Sequence, residues 1–285
     1  MAVPPLPPIL FEPLVRSALT EDIGRAGDLT SDAVVSADLH AEMTFVAREP
    51  GVIAGFDPAA LAFRLVDPTI ALQITRPDGS TVDAGDAIAT VSGPARSLLS
   101  AERTTLNFLC HLSGIATATS MMVEAVKGHK AKITCTRKTT PGLRTMEKYA
   151  VRAGGGSNHR FGLDDAILIK DNHIAIAGGI HAAVERARTH AGHMVKIEVE
   201  IDTLDQLEEA LSLGVDAVLL DNMTPHELAH AVRLVGERAI TEASGRITPE
   251  TVSAIAASNV DLISVGWITH SAPALDIGLD VLVRR

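Results

Sequence analysis

The chain has 285 residues, of which 46% are apolar and only 3% aromatic, and its formal net charge is −10. This size suffices for one large or two medium domains with a mostly aliphatic core. The acidic charge argues against a broad nucleic-acid surface, and the sequence shows neither a run of 18 apolar residues that would predict a membrane span nor an N-terminal signal peptide.

The first 95 residues predict a small sheet. Apolar runs such as "MTFVAREPGVIAGF" and "GDAIATVSG" alternate with turn signals such as "PDGS" and "DAGD", which is typical of strands and hairpins. From Arg96 to about Val126 the apolar residues follow helical spacing. Ser113–Gly114 is expected to divide this segment into two helices.

From residue 132 onward the chain alternates between short strands and helices. The apolar runs are "KITC", "AILI", "KIEVEI", "AVLL", "RAIT" and "LISVG". Such alternation predicts parallel strand pairing. Six strands fit a closed or nearly closed α/β barrel, and an open doubly wound sheet is the alternative that periodicity does not separate from it.

Several helices between these strands carry start and stop signals. The predicted starts are Thr203, Thr224 and Thr248, and the predicted stops are Gly214 and Gly236. Gln206 and Glu227, each three residues after a start, would complete capping boxes.

Polar residues follow every predicted strand of this second half. In α/β barrels the reactive side chains lie at the carboxyl ends of the strands, so these residues are expected to share one active site. They are Arg137 and Lys138, then Lys170 to His173, Glu198 and Glu200, Asp221 and Asn222, Glu242 to Gly245, and Gly266 to His270.

Positive charge is concentrated in residues 132–170, which contain eight Lys and Arg but only three Asp and Glu. Arg144, Lys148 and Arg152 have i, i+4 spacing and are predicted to form an exposed helix face. Strand ends and a Gly-rich turn hold four others, which are predicted to line a pocket for a small polyanion. These are Arg137, Lys138, Arg160 and Lys170.

The later strand ends are acidic. Strand alternation places Glu198 and Glu200 on the same side of their strand. Together with Asp221 they would repel a polyanion unless Mg²⁺ bridges them to it. A structural network of salt bridges with the basic residues is the alternative interpretation.

Backbone N–H groups after the last two strands are candidates for phosphate binding. Ser244, Gly245 and Gly266 are the residues in suitable positions. Of the eleven histidines, only His159, His173 and His270 fall in the candidate site. The two isolated cysteines, Cys110 and Cys135, indicate a reducing, cytoplasmic setting and no zinc site.

The longest of these motifs resembles the signature region of the quinolinate phosphoribosyltransferase family. It reads "TRKTTPGLRTMEKYAVRAGGGSNHRFGLDDAILIKDNH", and further similarity lies in "EDIGRAGDLTSD", "LLSAERTTLNFLCHLSGIAT", "EVEID", "LLDN", "EASG" and "VGWITHS". The resemblance implies an N-terminal α/β sandwich, residues 1–112, followed by an incomplete parallel α/β barrel, residues 113–271. The C-terminal tail, residues 272–285, is expected to pack on the first domain.

The resemblance also implies roles for individual residues. Quinolinate would be held by Arg137, His159, Arg160 and Lys170, with Thr136 and Lys138 nearby, and Arg103 would reach the site of a partner subunit in a homodimer. Glu200 and Asp221 would bind the ribose and, indirectly, the Mg²⁺ of phosphoribosyl pyrophosphate. Phosphate would be bound by Ser244, Gly245 and Gly266, with His270 close by, whereas Arg246 departs from the Gly or Asn of many relatives.

The implied reaction is the decarboxylating transfer of a phosphoribosyl group to quinolinate in NAD biosynthesis. One alternative is a related phosphoribosyltransferase that acts on a different acid, such as the molybdenum-transport-associated homologue. Another is a non-catalytic barrel that senses phosphorylated metabolites. Dimers could also assemble further, into a larger complex of dimers.

Overall fold

The computed structural model describes residues 3–281, which divide into two compact units. The first comprises the described residues up to Ser120, Thr140–Gly155, and those from Ser271 on. The second comprises Met121–Thr139 and Gly156–His270. The predicted domain boundary after residue 112 therefore lies inside the first unit.

The elements follow one another in this order. A 3-10 helix, Pro8–Leu10, precedes α1 Glu12–Ile23, α2 Leu29–Val34, β1 His40–Ala47, β2 Gly51–Val52, α3 Phe56–Val66, β3 Ala71–Ile74, β4 Thr81–Val82, β5 Ala87–Pro94 and α4 Ala95–Ala125. The remaining elements are β6 Lys132–Thr134, α5 Arg144–Ala153, β7 Ile167–Ile169, α6 Asp171–Ala177, α7 Ile180–His190, β8 Ile197–Ile201, α8 Leu204–Ser212, β9 Ala217–Asp221, α9 Pro225–Val235, β10 Ile240–Ser244, α10 Val252–Ala256, β11 Leu262–Ser264, α11 Trp267–His270 and β12 Ile277–Val281.

An antiparallel sheet forms the centre of the first unit. Its strand order is β12-β1-β5-β3, and β2 pairs separately with β4. Strand β12 comes from the C-terminal tail and pairs along β1, from Met43 opposite Val281 to Ala47 opposite Ile277. Phe45 and Phe63 meet edge to face in the core, with ring centroids 6.2 Å apart.

The expectation of strands and hairpins alone before residue 95 was incomplete, because α1, α2 and α3 also lie there. In α3 the buried residues Phe56, Ala59 and Phe63 recur at helical spacing. The helix follows Gly55, whose φ of +113° lies in the left-handed region that glycine tolerates. The run "VIAGF" thus contains the end of β2 and the start of a helix.

Helix α4 is continuous, so the predicted break at Ser113–Gly114 was wrong. The Ser113 hydroxyl accepts a hydrogen bond from the amide of Ala54 at 3.0 Å and donates one to the Ala54 carbonyl at 3.1 Å. Gly114 lies so close to the backbone of Pro273 that a Cβ would collide with it. The two residues therefore allow close packing of the helix and do not end it.

By length and composition alone, α4 could cross a membrane. This is weak evidence, because the core helix of a globular domain passes the same test. The side chains of Leu98, Leu109, Leu112, Ile115 and Met122 are at most 1% exposed. These five side chains of α4 therefore belong to the core of the protein.

The second unit contains a parallel sheet of six strands in the order β6-β11-β10-β9-β8-β7. From β7 to β11 the strands follow one another in chain order, and β6, the first strand, lies beside the last. This is the cyclic order of a barrel, whereas a doubly wound sheet reverses its order at a switch point. Within the described residues β6 and β7 do not pair, so the barrel is incomplete and the predicted fold class is confirmed.

Two of the three predicted helix starts are capping boxes. Thr203 accepts from the amide of Gln206 at 3.3 Å, and the Gln206 side chain accepts from the amide of Thr203 at 3.2 Å. Thr224 and Glu227 make the same reciprocal pair at 3.3 and 2.8 Å. Gly214 and Gly236, the predicted stops, have φ of +66° and +58° immediately after α8 and α9.

The third predicted start, at Thr248, was wrong. The amide of Thr248 donates to the hydroxyl of Thr251 at 3.0 Å, and this contact closes a turn. Helix α10 begins only after the turn, at Val252.

The predicted exposed face of α5 was also wrong. Lys148 is only 2% exposed and Arg144 is half-buried, so Arg152 alone of the three is exposed. Beside Lys148, Glu147 is fully buried and accepts from His111 Nε2 at 2.9 Å and from the amide of Thr140 at 3.1 Å. Spacing of i, i+4 places residues on one helix face but does not say what covers that face.

Candidate active site

A cavity of about 400 Å³ lies at the carboxyl ends of the parallel strands. Side chains at these ends converge because parallel strands all point the same way. Nine of the predicted site residues line the cavity: Thr136, Arg137, Lys138, His159, Arg160, Lys170, Glu200, Asp221 and Ser244. Leu168, Leu219, Glu242 and Ser264 complete the lining.

Alternate residues of β9 and β10 face this cavity. The register pairs Asp221 with Ser244 at the carboxyl ends of the strands and Leu219 with Glu242 two residues earlier. All four line the cavity, because side chains two residues apart on a strand point to the same face. The cavity therefore has a rim at the strand ends and a floor one layer deeper.

We define the rim as Arg137, Lys138, Arg160, Lys170, Asp221 and Glu200. Glu200 is level with Leu219 in the strand register, but its carboxylate pairs with Lys170. Arg160 is held by a hydrogen bond from its Nη1 to the carbonyl of Ala166 at 2.9 Å. Its buried Nε has no hydrogen-bond partner among residues 3–281. Burial lowers the pKa of Arg160, and the nearby positive charge of Arg137 lowers it further. The positive charges of the two guanidinium groups repel each other, and an anion bound between them would relieve this repulsion.

The basic and acidic parts of the rim are joined by one ion pair. Lys170 Nζ lies 2.9 Å from Glu200 Oε2, and the Lys170 side chain is 50% exposed whereas that of Glu200 is 10% exposed. Asp221 Oδ2 accepts from Asn222 Nδ2 at 2.5 Å. The ion pair between Lys170 and Glu200 is a contact of the kind that the salt-bridge interpretation expected. The carboxylate oxygens of Glu200 and Asp221 are hard donors that fit Mg²⁺ directly or through its water ligands.

We define the floor as His159 and Glu242, which line the cavity, together with Glu198, which contacts His159 and lies outside the lining. His159 Nε2 lies 3.0 Å from Glu198 Oε2 and 3.6 Å from Glu242 Oε1. His159 Nδ1 accepts from the amide of Arg160 at 2.8 Å. The proton of a neutral imidazole therefore resides on Nε2, directed at the two carboxyl groups.

Burial, and after it the negative charge of Glu198, raise the pKa of Glu242 to about 7, although His159 and a hydrogen bond with Ser264 act in the opposite direction. The side chain of Glu242 is only 2% exposed. A carboxyl group in this setting holds a proton near neutral pH.

The backbone at the rim adopts conformations that are costly for side-chain-bearing residues. Asn222 and Arg246 have φ of +54° and +48°, and Gly245 has φ of +102°. A Cβ on Gly245 would collide with the Asn222 side chain, and the amide of Asn222 donates to the carbonyl of Ser244 at 2.9 Å. Left-handed residues of this kind cluster at functional sites.

Gly266 brings the ends of β6 and β11 together. A Cβ built on it would lie 3.1 Å from Lys138 Cδ, 3.5 Å from His270 Nε2 and 3.6 Å from Thr136 Oγ1. The hydroxyl of Thr269 donates to the carbonyl of Lys138 at 2.7 Å. Gly266 and His270 thus lie beside the cavity-lining residues Thr136 and Lys138.

His173 and Arg103 lie outside the cavity lining. His173 Nδ1 accepts from the amide of Lys170 at 2.9 Å, so it caps the start of α6. Arg103 lies on α4 in the first unit and is exposed. Glu242 was expected in the site as a strand-end residue, without a specific role. It lines the cavity but lies in the middle of β10.

Comparison with known proteins gives consistent matches along the chain. The N-terminal domain of quinolinate phosphoribosyl transferase matches residues 28–113, and its C-terminal domain matches residues 115–280. The chain is 47% identical over 272 residues to the probable nicotinate-nucleotide pyrophosphorylase [carboxylating] of Bacillus subtilis, covering 95% of this chain and 93% of that one. It is 45% identical to the nicotinate-nucleotide pyrophosphorylase [carboxylating] of Mycobacterium leprae, covering 94% and 95%.

A solved structure agrees with the sequence matches. The nicotinate-nucleotide pyrophosphorylase of Francisella tularensis superposes with a TM-score of 0.94 at 40% identity, and the match covers 99% of each chain. Both units of the fold are therefore those of a known protein family.

Proposed function

The chain belongs to the quinolinate phosphoribosyl transferase family, and from this we propose how its cavity carries out the family's reaction. The reaction is the decarboxylating transfer of a phosphoribosyl group from phosphoribosyl pyrophosphate to quinolinate. It yields nicotinate mononucleotide, pyrophosphate and CO₂ in NAD biosynthesis. The chain is thus a pentosyltransferase.

The observation that carries the site assignment is the pair of guanidinium groups at the rim. Quinolinate has two adjacent carboxylates, and Arg137 and Arg160 are placed to bind them while Lys138, Lys170 and Thr136 supply further donors. A dianion removes the mutual repulsion that lowers the pKa of Arg160. The acidic net charge of the chain does not prevent binding of a dianion, because the positive charge that binds it is concentrated at the rim.

His159 contributes to this wall through Arg160. Its Nδ1 accepts the amide of Arg160, and its Nε2 faces Glu198. The imidazole therefore fixes the backbone from which the Arg160 side chain extends, and it lies beside the carboxylate that Arg160 binds.

Phosphoribosyl pyrophosphate occupies the acidic side of the rim. Glu200 and Asp221 bind the ribose hydroxyls and hold Mg²⁺ indirectly, and that ion, when bound, neutralises the charge of the departing pyrophosphate. Ser244, Gly245 and Gly266 bind phosphate, with His270 beside Gly266. Arg246 is exposed in a left-handed turn next to them and adds a positive charge on this side.

The reaction proceeds by positioning and charge. Pyrophosphate leaves the anomeric carbon through a cationic, oxocarbenium-like state, and the basic rim residues stabilise the leaving charge. The pyridine nitrogen, held in line by the arginines, attacks that carbon. The quaternised ring then accepts the electron pair that remains when the adjacent carboxylate leaves as CO₂.

We further propose a homodimer in which Arg103 completes the site of the partner subunit, with higher assembly of dimers left open. The exposure of Arg103 on α4 supports this assignment. The proposal includes a cytoplasmic location, which fits two cysteines, Cys110 and Cys135, that form no disulfide within the described residues.

The purified protein, mixed with quinolinate, phosphoribosyl pyrophosphate and Mg²⁺, tests the proposal. We expect CO₂ and pyrophosphate in equal amounts, and no comparable turnover when nicotinic acid replaces quinolinate. Preference for another acid would support the related transferase instead. Binding of phosphoribosyl pyrophosphate without pyrophosphate release would support a sensor.

A further inference from the structure

Glu242 is a buried acid that none of the roles above uses. It lies in the middle of β10, lines the cavity, and has a side chain that is only 2% exposed. Its Oε1 has no hydrogen-bond partner in the part of the chain that the structure describes. A buried polar atom of this kind costs free energy unless a ligand in the cavity forms a hydrogen bond with it.

The neighbours of Glu242 favour its protonated form. Glu198 on β8 faces it with a second carboxyl group, and His159 presents only an Nε2–H that is already engaged by Glu198 at 3.0 Å. Ser264 on β11 contributes a neutral hydroxyl. Two carboxyl groups this close together do not both ionise readily, and burial places the remaining proton on Glu242, whose pKa rises to about 7 although His159 acts in the opposite direction.

We propose that Glu242 is the general acid that protonates the ring carbon from which CO₂ has departed. This rests on the function proposed for the cavity. His159 adjoins both Arg160 and Glu242, so the carboxylate that Arg160 binds is directed at the floor, and the electron pair left behind by its departure points the same way. Of the carboxyl groups in the cavity lining, Glu242 is the most buried, with a side chain 2% exposed against 10% for Glu200.

The step balances without a further reactant. The bond between the ring carbon and the carboxylate carbon breaks, CO₂ leaves, and the electron pair stays on the ring carbon. That pair takes the proton of Glu242, and the electrons of the O–H bond remain on the Glu242 carboxylate. A proton from water restores the acid before the next turnover. Prompt protonation prevents the ring carbon from recapturing CO₂.

Other acids of the cavity are less suited. Lys170 is engaged with Glu200 at 2.9 Å and half exposed at the rim. Glu198 accepts from His159, so its Oε2 is committed as an acceptor. Glu242 combines a retained proton, burial and an oxygen without a protein partner.

The test is the Glu242→Gln variant in a rapid-quench experiment that follows pyrophosphate and CO₂ separately in the first turnover. Gln keeps the shape of the side chain but transfers no proton. We expect a pyrophosphate burst within about 3-fold of the wild-type rate, followed by CO₂ release slowed about 100-fold, the usual range for loss of a general acid. A structural defect would slow both steps together.

Two further variants keep the test decisive. Glu242→Asp retains an acid and should recover part of CO₂ release while enlarging its solvent deuterium isotope effect. Glu208→Gln is the matched control: it makes the same change at an exposed residue of α8 outside the cavity lining, and it should delay neither product. If Glu242→Gln does not fold, Glu242→Asp provides the test by itself. CO₂ release that lags behind the pyrophosphate burst would support the role of Glu242, and CO₂ release that keeps pace with the burst would contradict it.

The outcomes separate this inference from the function on which it rests. If the wild-type protein releases neither product, the proposed function fails. If the wild type releases both, but Glu242→Gln releases CO₂ at the wild-type rate or slows both products equally, only the role of Glu242 is overturned.

Discussion

The rim and the floor of the cavity use charged residues in opposite ways. At the rim, Lys170 and Glu200 form a half-exposed ion pair, and the guanidinium groups of Arg137 and Arg160 lie close together. On the floor, Glu242 and Glu198 lie around His159, and burial raises the pKa of Glu242. The rim therefore concentrates fixed charge, whereas the floor retains a proton.

This difference follows from depth. A guanidinium group stays charged even when half-buried, because its pKa is far above neutral. A carboxyl group deep in the same cavity is desolvated and takes up a proton instead. One cavity can thus bind a dianion by charge at its entrance and supply an acid from its interior.

Replacement of Arg160 should have the largest effect, because this rim residue binds a carboxylate of the substrate. Arg160→Ala removes a charge-assisted contact to a substrate carboxylate, and we expect kcat/KM with quinolinate to fall about 1,000-fold or more, or about 4 kcal/mol. Steady-state kinetics measure the loss, and circular dichroism checks the fold. Arg152→Ala, an exposed arginine outside the cavity lining, is the control and should retain activity. Near-normal turnover of Arg160→Ala would contradict the rim assignment.

Mixed dimers would show whether the rim is completed by a second copy of the chain. Arg103→Ala and Arg160→Ala should each be almost inactive alone. After the two are mixed and allowed to exchange subunits, one site in each heterodimer is intact, so activity should return to about a quarter of the wild-type value. No recovery despite demonstrated exchange would exclude donation of Arg103 across an interface. An active wild-type monomer in light scattering would exclude the dimer itself.

The sequence predicted the rim better than the floor. Rim residues follow the strands directly, so the end of each apolar run reveals them, as at Lys170 and Asp221. Glu242 lies inside a strand that continues to Ser244, and no local pattern distinguishes an inward acid there from an outward one.

The same limit applied elsewhere in the fold. The capping boxes of Thr203 and Thr224 were correct because every partner lies within three residues. The predictions for Gly114 and Lys148 were wrong because their environment depends on residues distant in the chain. Gly114 meets the backbone of Pro273, and α5 is covered on the face that holds Lys148.

The smallest predicted effect concerns stability, and it tests the floor without substrate. Between pH 4.5 and about 7, folded Glu242 keeps a proton that the unfolded chain has lost, so this group lowers wild-type stability as the pH rises. Gln does not titrate. The free energy of unfolding of Glu242→Gln, relative to wild type, should therefore increase by about 2 kcal/mol from pH 5 to pH 8. Urea unfolding at both pH values measures it, and a difference independent of pH would mean that Glu242 is ionised throughout.

A crystal structure with quinolinate and an unreactive analogue of phosphoribosyl pyrophosphate tests the division between rim and floor most directly. We expect both carboxylates of quinolinate within hydrogen-bonding distance of Arg137 and Arg160. We also expect an oxygen of Glu242 within about 4 Å of the ring carbon that loses CO₂, close enough for proton transfer after a small shift. A diacid bound away from the two arginines, or a Glu242 separated from that carbon by other side chains, would contradict the account.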